Sequence, residues 1–321
     1  METDARGEAP TPRLSFSKLM PKLQLAWDSS SLASLKRCPR YYEYNIIQGY
    51  VSKPENVHLR FGTEYNNAIV TYCRARIAGR TYDEAVLEAV RYALVHTWDA
   101  TLGRPWVSDL TNKTRETLLR TVVWYLDQFE NDPLETVRLA SGSAAVSLDF
   151  NIYLEEDSAL TGEAYSLCGE LDRVVAFAGA NFITDWKTSK HPIDERYFAE
   201  YTPNTQVSQY TFAGNIMGEK PVKGVIIDAV QLGVNFSRFQ RSQITRTPAQ
   251  LEEWLRDSLI HIRENEAYVQ SNYWPQRDAV CGLYGGCPYR QICSLSPEFR
   301  EAHLKSLYTK RLWDPLTTRE I

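Results

Sequence analysis

The sequence lacks the features that define several classes of protein. No apolar stretch among its 321 residues approaches membrane-spanning length, and the opening segment METDARGEAPTPR has no apolar core of a secretion signal. No Walker motif is present, which excludes an ATP-driven motor in this chain. Basic residues are not in excess, since 36 Lys and Arg face 40 Asp and Glu, and the formal net charge is −4. This balance argues against tight binding of long nucleic acid over the whole surface. We expect a cytoplasmic globular protein with no membrane partner.

Charged residues interrupt two apolar stretches within residues 167–188, which predict adjacent strands joined by a tight turn. The first stretch contains Asp172, and the second contains Asp185 and Lys187. Alternate residues of a strand point to the same face, so Asp185 and Lys187 should lie side by side while Trp186 points into a core. A surface ion pair would explain the second stretch alone. Three charges within apolar strands favour a site that holds a divalent metal beside a phosphodiester.

The order of these residues resembles the PD-(D/E)XK nuclease superfamily, and specifically its RecB-like branch. The resemblance extends from about Trp27 to about Pro315 and includes an early Ser-x-Ser-x-Leu motif followed by Cys-Pro-x-x-Tyr. The positions that match in the centre of the chain are Gly169, Asp172 and Arg173, then Asp185, Lys187, Thr188 and Ser189, then Gln206 and Tyr210. Each short motif is weakly specific by itself, whereas the ordered set is strongly specific.

The resemblance implies an α/β fold in which helices flank a mixed central sheet of the restriction-endonuclease-like type. We expect a flexible segment over residues 1–26 and a single nuclease domain over 27–321. Within that domain, the apolar periodicity predicts a helical insertion at about 60–135 and a catalytic core at 140–247. A cysteine-containing loop and tail should occupy 275–321.

The resemblance also implies metal-dependent hydrolysis of phosphodiester bonds in DNA. The expected catalytic residues are Asp172, Asp185, Lys187, Gln206 and Tyr210. Asp172 and Asp185, with the backbone carbonyl of Trp186, would hold Mg²⁺ or Mn²⁺, and Lys187 would position water and offset negative charge. A core aromatic is an equally good interpretation of Tyr210.

The substrate that the resemblance implies is single-stranded or end-bearing DNA, cut by an exonuclease rather than an endonuclease. Recombination, repair or DNA processing is the expected context, and a helicase or recombination protein is a candidate partner. RNA as the substrate is the least favoured alternative.

Six cysteines suggest a second site, because clustered cysteines in a cytosolic chain indicate metal rather than disulfides. Three occur in one glycine-containing loop: Cys281, Cys287 and Cys293. The chain resembles iron–sulfur nucleases of the AddB and CRISPR-adaptation type, which implies that Cys38 is the fourth ligand of a [4Fe-4S] cluster. The loop has two gaps of five residues where that type usually has Cys-x2-Cys-x5-Cys, so Zn²⁺ and free thiols stay open. Cys73 and Cys168 are expected in the core.

One position departs from the resemblance, since Asn66 stands where RecB-like nucleases usually have a metal-binding histidine. An amide oxygen suits a hard cation such as Mg²⁺ better than it suits transition metals. The site can work with an altered metal preference, or Glu64 or His58 can supply the ligand. Alternatively the chain is a weak or inactive iron–sulfur DNA-binding or assembly factor of the same fold. Retention of the acids and the lysine favours a working site.

One basic group near the amino terminus is a candidate for DNA contact, although runs of charge are usually solvated surface. Its members are Lys36, Arg37 and Arg40.

Overall fold

The computed structural model describes residues 14–53, 57–218 and 220–317. The chain forms two compact units. The terminal unit contains the described residues of 1–54, 150–169 and 252–320, and the central unit contains those of 55–149 and 170–251. This division cuts across the predicted core at 140–247, so the predicted single domain and its subdivisions stay predictions. In the described part of the chain no helix is long and apolar enough to cross a membrane.

Helices and strands cover most of the described residues. The helices are α1 Ser29–Arg37, α2 Pro39–Tyr42, α3 Val57–Ile77, α4 Tyr82–His96, α5 Arg115–Gln128, α6 Glu195–Ala199, α7 Thr205–Met217, α8 Pro248–Ser271, α9 Arg290–Cys293 and α10 Pro297–Leu307. The strands are β1 Ala26–Trp27, β2 Tyr50–Ser52, β3 Trp98–Asp99, β4 Arg104–Pro105, β5 Glu135–Thr136, β6 Val146–Asp157, β7 Ala164–Phe177, β8 Ala180–Ser189, β9 Val222–Leu232, β10 Ser237–Thr245 and β11 Tyr308–Lys310.

A mixed sheet with the strand order β7-β8-β9-β10 forms the centre of the central unit. The β7–β8 and β9–β10 pairs are antiparallel, whereas β8 and β9 are parallel. Strands β5 and β6 also pair with β7. Helices lie on both faces of this sheet, so the predicted α/β fold of the restriction-endonuclease-like type is confirmed.

A tight hairpin joins β7 to β8. Ala178 and Gly179 both have positive φ, 48° and 77°, the backbone geometry that a two-residue turn between right-twisted strands requires. The register then continues to the pair Arg173 and Thr184. One further step of this register places Asp172 beside Asp185.

The two faces of β8 meet different helices. On one face, Trp186 belongs to a core cluster with Phe61 of α3 and with apolar residues of α5. On the other face α7 lies so close that a Cβ on Gly214 would be 2.9 Å from Ile183 Cδ1 and 2.8 Å from Val222 Cγ2. Helix α7 therefore covers the face of β8 that also presents Asp185 and Lys187.

The terminal unit begins before the predicted boundary at Trp27. Leu23 and Gln24 are fully buried. The Gln24 amide donates to the Ser31 hydroxyl at 2.8 Å and accepts from the Tyr42 hydroxyl at 2.8 Å. A buried amide with satisfied hydrogen bonds fixes the chain around Gln24, and the predicted flexibility of the residues before it stays a prediction. Residues 1–13 lie outside the described residues.

Replacing Gly214 with valine should destabilise the protein by at least about 2 kcal/mol, because the added methyl groups overpack the contact between α7 and the sheet. Ile216→Val, at an exposed position of the same helix, should change the free energy of unfolding by less than about 0.5 kcal/mol. Urea unfolding of both variants measures the difference, and equal stabilities would contradict the close packing of α7.

Candidate active site

Asp172, Asp185 and Lys187 converge at the end of the β7–β8 pair. Asp185 is 2% exposed, and its two carboxylate oxygens lie 2.8 Å and 2.7 Å from Lys187 Nζ. Asp172 Oδ2 accepts a hydrogen bond of 3.2 Å from the backbone N–H of Trp186, the residue between the other two. Two carboxylates and one ammonium thus share one small region, partly withdrawn from solvent.

Burial and mutual charge shift the protonation of this group. Burial and, to a smaller extent, the carboxylate of Asp185 raise the pKa of Asp172 to about 8, against the opposing effects of Lys187 and the Trp186 N–H. Burial would lower the pKa of Lys187, but the charges of Asp185 and Asp172 raise it above its ordinary value. Without a metal, Asp172 is therefore largely protonated at neutral pH while the lysine stays cationic.

Asn66 of α3 reaches the same carboxylate. Its Nδ2 donates to Asp172 Oδ2 at 3.4 Å, while its Oδ1 is buried and accepts no hydrogen bond from any residue that the structure describes. An orphaned buried oxygen costs free energy unless a ligand satisfies it. The amide oxygen and the two carboxylates supply the hard oxygen donors that Mg²⁺ prefers.

The other two candidate metal ligands near Asn66 have different surroundings. Glu64 accepts a hydrogen bond of 3.3 Å from the Tyr92 hydroxyl. His58 is near Lys113 and Lys190, whose charges add to burial in lowering its pKa. Over residues 14–53, 57–218 and 220–317, no three His, Cys, Asp or Glu side chains are arranged as metal ligands. A metal at the acid pair would therefore need the amide or backbone oxygens as well.

Gln206 and Tyr210 lie one turn apart on α7, the helix that covers the Asp185 face. Gln206 Nε2 donates to the Tyr210 hydroxyl at 3.0 Å. Burial raises the pKa of Tyr210, and the charges of Asp172 and Asp185 raise it further, which places this ring close to both acids. Tyr210 is 8% exposed, so it is both a core aromatic and a neighbour of the acids.

Three neighbours of Asp172 and Asp185 were not predicted from the sequence. Glu170 precedes Asp172 by two residues on β7, and its charge adds to the elevated pKa of Asp172. Strand alternation could have identified it. Tyr197 and Tyr201, whose hydroxyls are 3.2 Å apart, interact electrostatically with Asp185. No local signal connects these tyrosines to β8, because α6 and the following turn reach it only in three dimensions.

Residues 27–294 match the PD-(D/E)XK nuclease superfamily. The chain belongs to this superfamily. Its members typically use Mg²⁺ or Mn²⁺. The match to the superfamily does not confirm the RecB-like branch or the cysteine cluster, so both stay predictions.

Other comparisons add little. No curated protein sequence matches the chain. A protein described as a "Putative exonuclease" from Eubacterium rectale is 10% identical over 86% of this chain and 92% of its own, with a TM-score of 0.43. A second solved structure, of the protein SSO0001, is 11% identical over 73% and 75% of the two chains, with a TM-score of 0.30. We base no argument on either likeness.

A buried polar network supports the nuclease motif from the opposite face of the sheet. Trp186 Nε1 donates to the Tyr125 hydroxyl at 3.0 Å, and that hydroxyl donates to Asp228 Oδ2 at 2.6 Å. Arg241 also donates to Asp228 Oδ2, at 2.8 Å, and it binds both oxygens of Asp132 at 2.6 and 2.9 Å. These bonds fix the position of the Trp186 ring. They therefore also help to fix the backbone N–H of Trp186, which donates a hydrogen bond to Asp172.

The four candidate cluster ligands all lie in the terminal unit, but the described residues there include no three Cys, His, Asp or Glu side chains arranged as metal ligands, so the cluster stays a prediction. Cys287 interacts electrostatically with Cys281 and Cys38, and Cys293 interacts with Cys287 and Cys38. All four are free thiols. Burial raises the pKa of Cys287, and it raises that of Cys293 to about 11, so these thiols are protonated when no metal is bound. The donor chemistry suits an iron–sulfur cluster or zinc, with loss of the thiol protons on binding.

The predicted DNA-contact group divides into different environments. Arg40 is 7% exposed, and its Nε donates to the Trp274 carbonyl at 2.7 Å and lies 3.1 Å from Glu43. These contacts hold its Nε inside the protein, and its contact with DNA stays a prediction. Lys36 and Arg37 are partly exposed, and DNA contact by them stays a prediction.

The pKa of Asp172 predicts how the metal-free protein responds to pH. The pKa is about 8 in the folded state against 3.8 for an ordinary carboxyl, so the folded state binds more protons between these values. Stability should therefore fall by roughly 1–3 kcal/mol as the pH rises from 5 to about 8. Asp172→Asn should abolish this loss, whereas the exposed control Asp149→Asn should keep it. Urea unfolding in chelator measures the slopes, and identical slopes in all three proteins would refute the elevated pKa.

Proposed function

We propose that this PD-(D/E)XK protein is a metal-dependent deoxyribonuclease. The observation on which the proposal rests is the convergence of Asp172, Asp185 and Lys187 beside the orphaned oxygen of Asn66. Phosphodiester hydrolysis requires a bound cation, an oriented water and a positive charge near the oxygens that become more negative. This arrangement supplies side chains for each requirement.

Each residue would have a separate role in phosphodiester hydrolysis. Asp172, Asp185, the Asn66 amide oxygen and the Trp186 carbonyl would hold the cation, which acts as a Lewis acid and promotes ionisation of water. Lys187 remains cationic, so its role would be to orient the attacking water and offset charge rather than to accept a proton. The hydrogen bond from Gln206 would fix the Tyr210 ring against the acid pair.

The donor set favours Mg²⁺ over Mn²⁺. Every donor in the set is an oxygen, and an amide oxygen replaces the imidazole that would bind a transition metal more strongly. Loss of the Asp172 proton would accompany metal binding, because burial raises its pKa to about 8. Metal affinity should therefore increase with pH up to about 8.

The finer features of this activity rest on the RecB-like resemblance and on cysteine usage. We infer an exonuclease that acts on single-stranded or end-bearing DNA in recombination, repair or DNA processing. A helicase or recombination protein would supply opened strands, since the sequence has no Walker motif. A cytoplasmic location agrees with the absence of disulfide bonds among the six cysteines.

We further propose that Cys38, Cys281, Cys287 and Cys293 bind a structural [4Fe-4S] cluster, with zinc as the alternative. Support comes from the resemblance to iron–sulfur nucleases and from the position of all four cysteines in the terminal unit, where none forms a disulfide. Ligation by all four would join α1 and α2 to the carboxy-terminal loop. It would stabilise the folded chain mainly by restricting the unfolded one.

Asn66 supports one competing function. If an amide cannot replace the histidine of related nucleases, the chain would bind DNA without cutting it, as an iron–sulfur binding or assembly factor. The two functions differ in a direct assay: binding of labelled single- and double-stranded DNA without cleavage in either Mg²⁺ or Mn²⁺ would favour the binding factor.

Lys187→Ala should reduce metal-dependent cleavage of end-labelled DNA at least about 100-fold, because the variant loses the cation beside the scissile phosphate. Binding of the same DNA in Ca²⁺ should persist. Lys220→Ala, which removes an exposed lysine from the central unit, is the matched control and should cleave normally. Full cleavage by the Lys187 variant would refute the assignment.

Serine substitution at Cys38 or Cys293 should remove the visible absorbance and the iron of anaerobically purified protein, because a four-thiolate cluster tolerates the loss of a ligand poorly. Cys73→Ala, in the core of the central unit, should retain both. Iron and zinc analysis of each protein distinguishes the two metals. Wild-type protein purified anaerobically with neither metal would reject the cluster.

A further inference from the structure

Lys113 is a buried cation in the central unit. It is 2% exposed and lies in the loop just before α5. Its Nζ donates to Thr188 Oγ1 at 3.1 Å and lies 5.3 Å from the centre of the Phe61 ring. Both neighbours are uncharged, so neither neutralises the ammonium.

No carboxylate among the described residues forms an ion pair with Lys113. Burial, with a smaller contribution from the positive charge of Lys190, lowers its pKa to about 8. A pKa near 8 still leaves most of the lysine charged at neutral pH. Burying such a charge without a partner is costly, so its neutralisation by an anion would be favourable.

The surroundings of Lys113 add more positive charge. Lys190 is exposed, and it and Lys113 both lower the pKa of His58, which is also exposed. The amino end of α5, capped by Thr114, adds the positive end of a helix dipole. Two lysines, a histidine whose lowered pKa leaves it neutral at neutral pH, and a helix terminus therefore occupy this region.

This point lies next to the nuclease motif in sequence and in space. Thr188, the hydrogen-bond partner of Lys113, follows Lys187 directly on β8, and Lys190 lies two residues further on. Gly62 of α3 is close to the same threonine, with 3.8 Å between its ideal Cβ position and Oγ1. Thr188 alternates to the face of β8 opposite Lys187, and Lys190 follows the last residue of β8, so the group lies at the same end of the strand as the acid pair.

We propose that Lys190 and His58 bind a phosphate of the DNA backbone next to the scissile one, with Lys113 beneath them as a buried countercharge. The site is placed by the contact of Lys113 with Thr188, by Lys190 two residues beyond that threonine and by His58 one turn before Gly62 on α3, and its occupation by DNA rests on the proposed nuclease function. Lys190 and His58 would contact the phosphate directly. Lys113 would act through the low-dielectric interior, where a charge is screened less than at the surface.

A purely structural role for Lys113 is the competing explanation, and stability separates the two. If Lys113 only donates to Thr188, Lys113→Met should destabilise the protein and leave ligand binding unchanged. If it is an uncompensated cation, Lys113→Met should have equal or greater stability in urea and weaker anion binding.

Two measurements test the site with full-length protein. In the first, inorganic phosphate should raise the melting temperature of wild-type protein, and Lys190→Met and Lys113→Met should lose this increase. In the second, binding of a labelled single strand is titrated in Ca²⁺ at several salt concentrations. Lys190→Met should bind about tenfold more weakly, with a salt dependence reduced by about 0.7 in logarithmic slope. The control is Lys223→Met. Lys223 is exposed and lies near the amino-terminal end of β9, whereas Thr188 pairs with Val230 near the carboxy-terminal end.

The outcomes distinguish a failure of the proposed anion site from a failure of the proposed nuclease function. Stabilisation by phosphate with an unchanged DNA salt slope would identify a site for free phosphate and overturn the DNA part. Neither effect in wild-type protein would overturn the site altogether. A phosphate effect in protein that cleaves no DNA with any metal would leave the anion site standing while the nuclease function fails.

Discussion

Side-chain alternation along β8 is the constraint on which the site depends. It holds Asp185 and Lys187 on one face and turns Trp186 to the other, where the ring is hydrogen-bonded to Tyr125. The backbone N–H of the same tryptophan binds Asp172. A single residue therefore connects the core to the acid pair, and a shift of one residue in register would exchange the charged and apolar faces.

The buried charged residues on the two faces of the sheet have different partners. Behind the site, Arg241 and Asp132 form a bidentate pair, and Asp228 accepts from both Arg241 and Tyr125. On the site face the carboxylates repel each other, and the pKa of Asp172 rises. The first arrangement stabilises the fold by satisfying most of its own charges. The second retains a capacity to exchange protons for a cation, which is typical of a functional site.

Local sequence patterns were enough to predict the sheet and the motif residues. The apolar stretches that contain Asp172 and Asp185 became β7 and β8, because strand periodicity and turn chemistry are local properties. Burial of Arg40 and Gln24 was not predictable, since each is fixed by partners distant in sequence or by packing around it. Burial of Lys113 was not predicted for the same reason. A lone lysine in a loop is typical of the solvated surface, and only the folded structure places it beside Thr188.

The neighbourhood of Cys38 and the carboxy-terminal thiols has a consequence for synthesis on the ribosome. About 240 residues separate Cys38 from Cys281, and at about 5–20 residues per second the first thiol waits roughly 12–50 s for its neighbours to emerge. The hairpin of β7 and β8 can form during this interval, because its two strands are adjacent in the chain. The nascent protein would therefore form the hairpin that carries Asp172, Asp185 and Lys187 before Cys281 has been synthesised. During that time the Cys38 thiol would be exposed to oxidation or to binding by a chaperone.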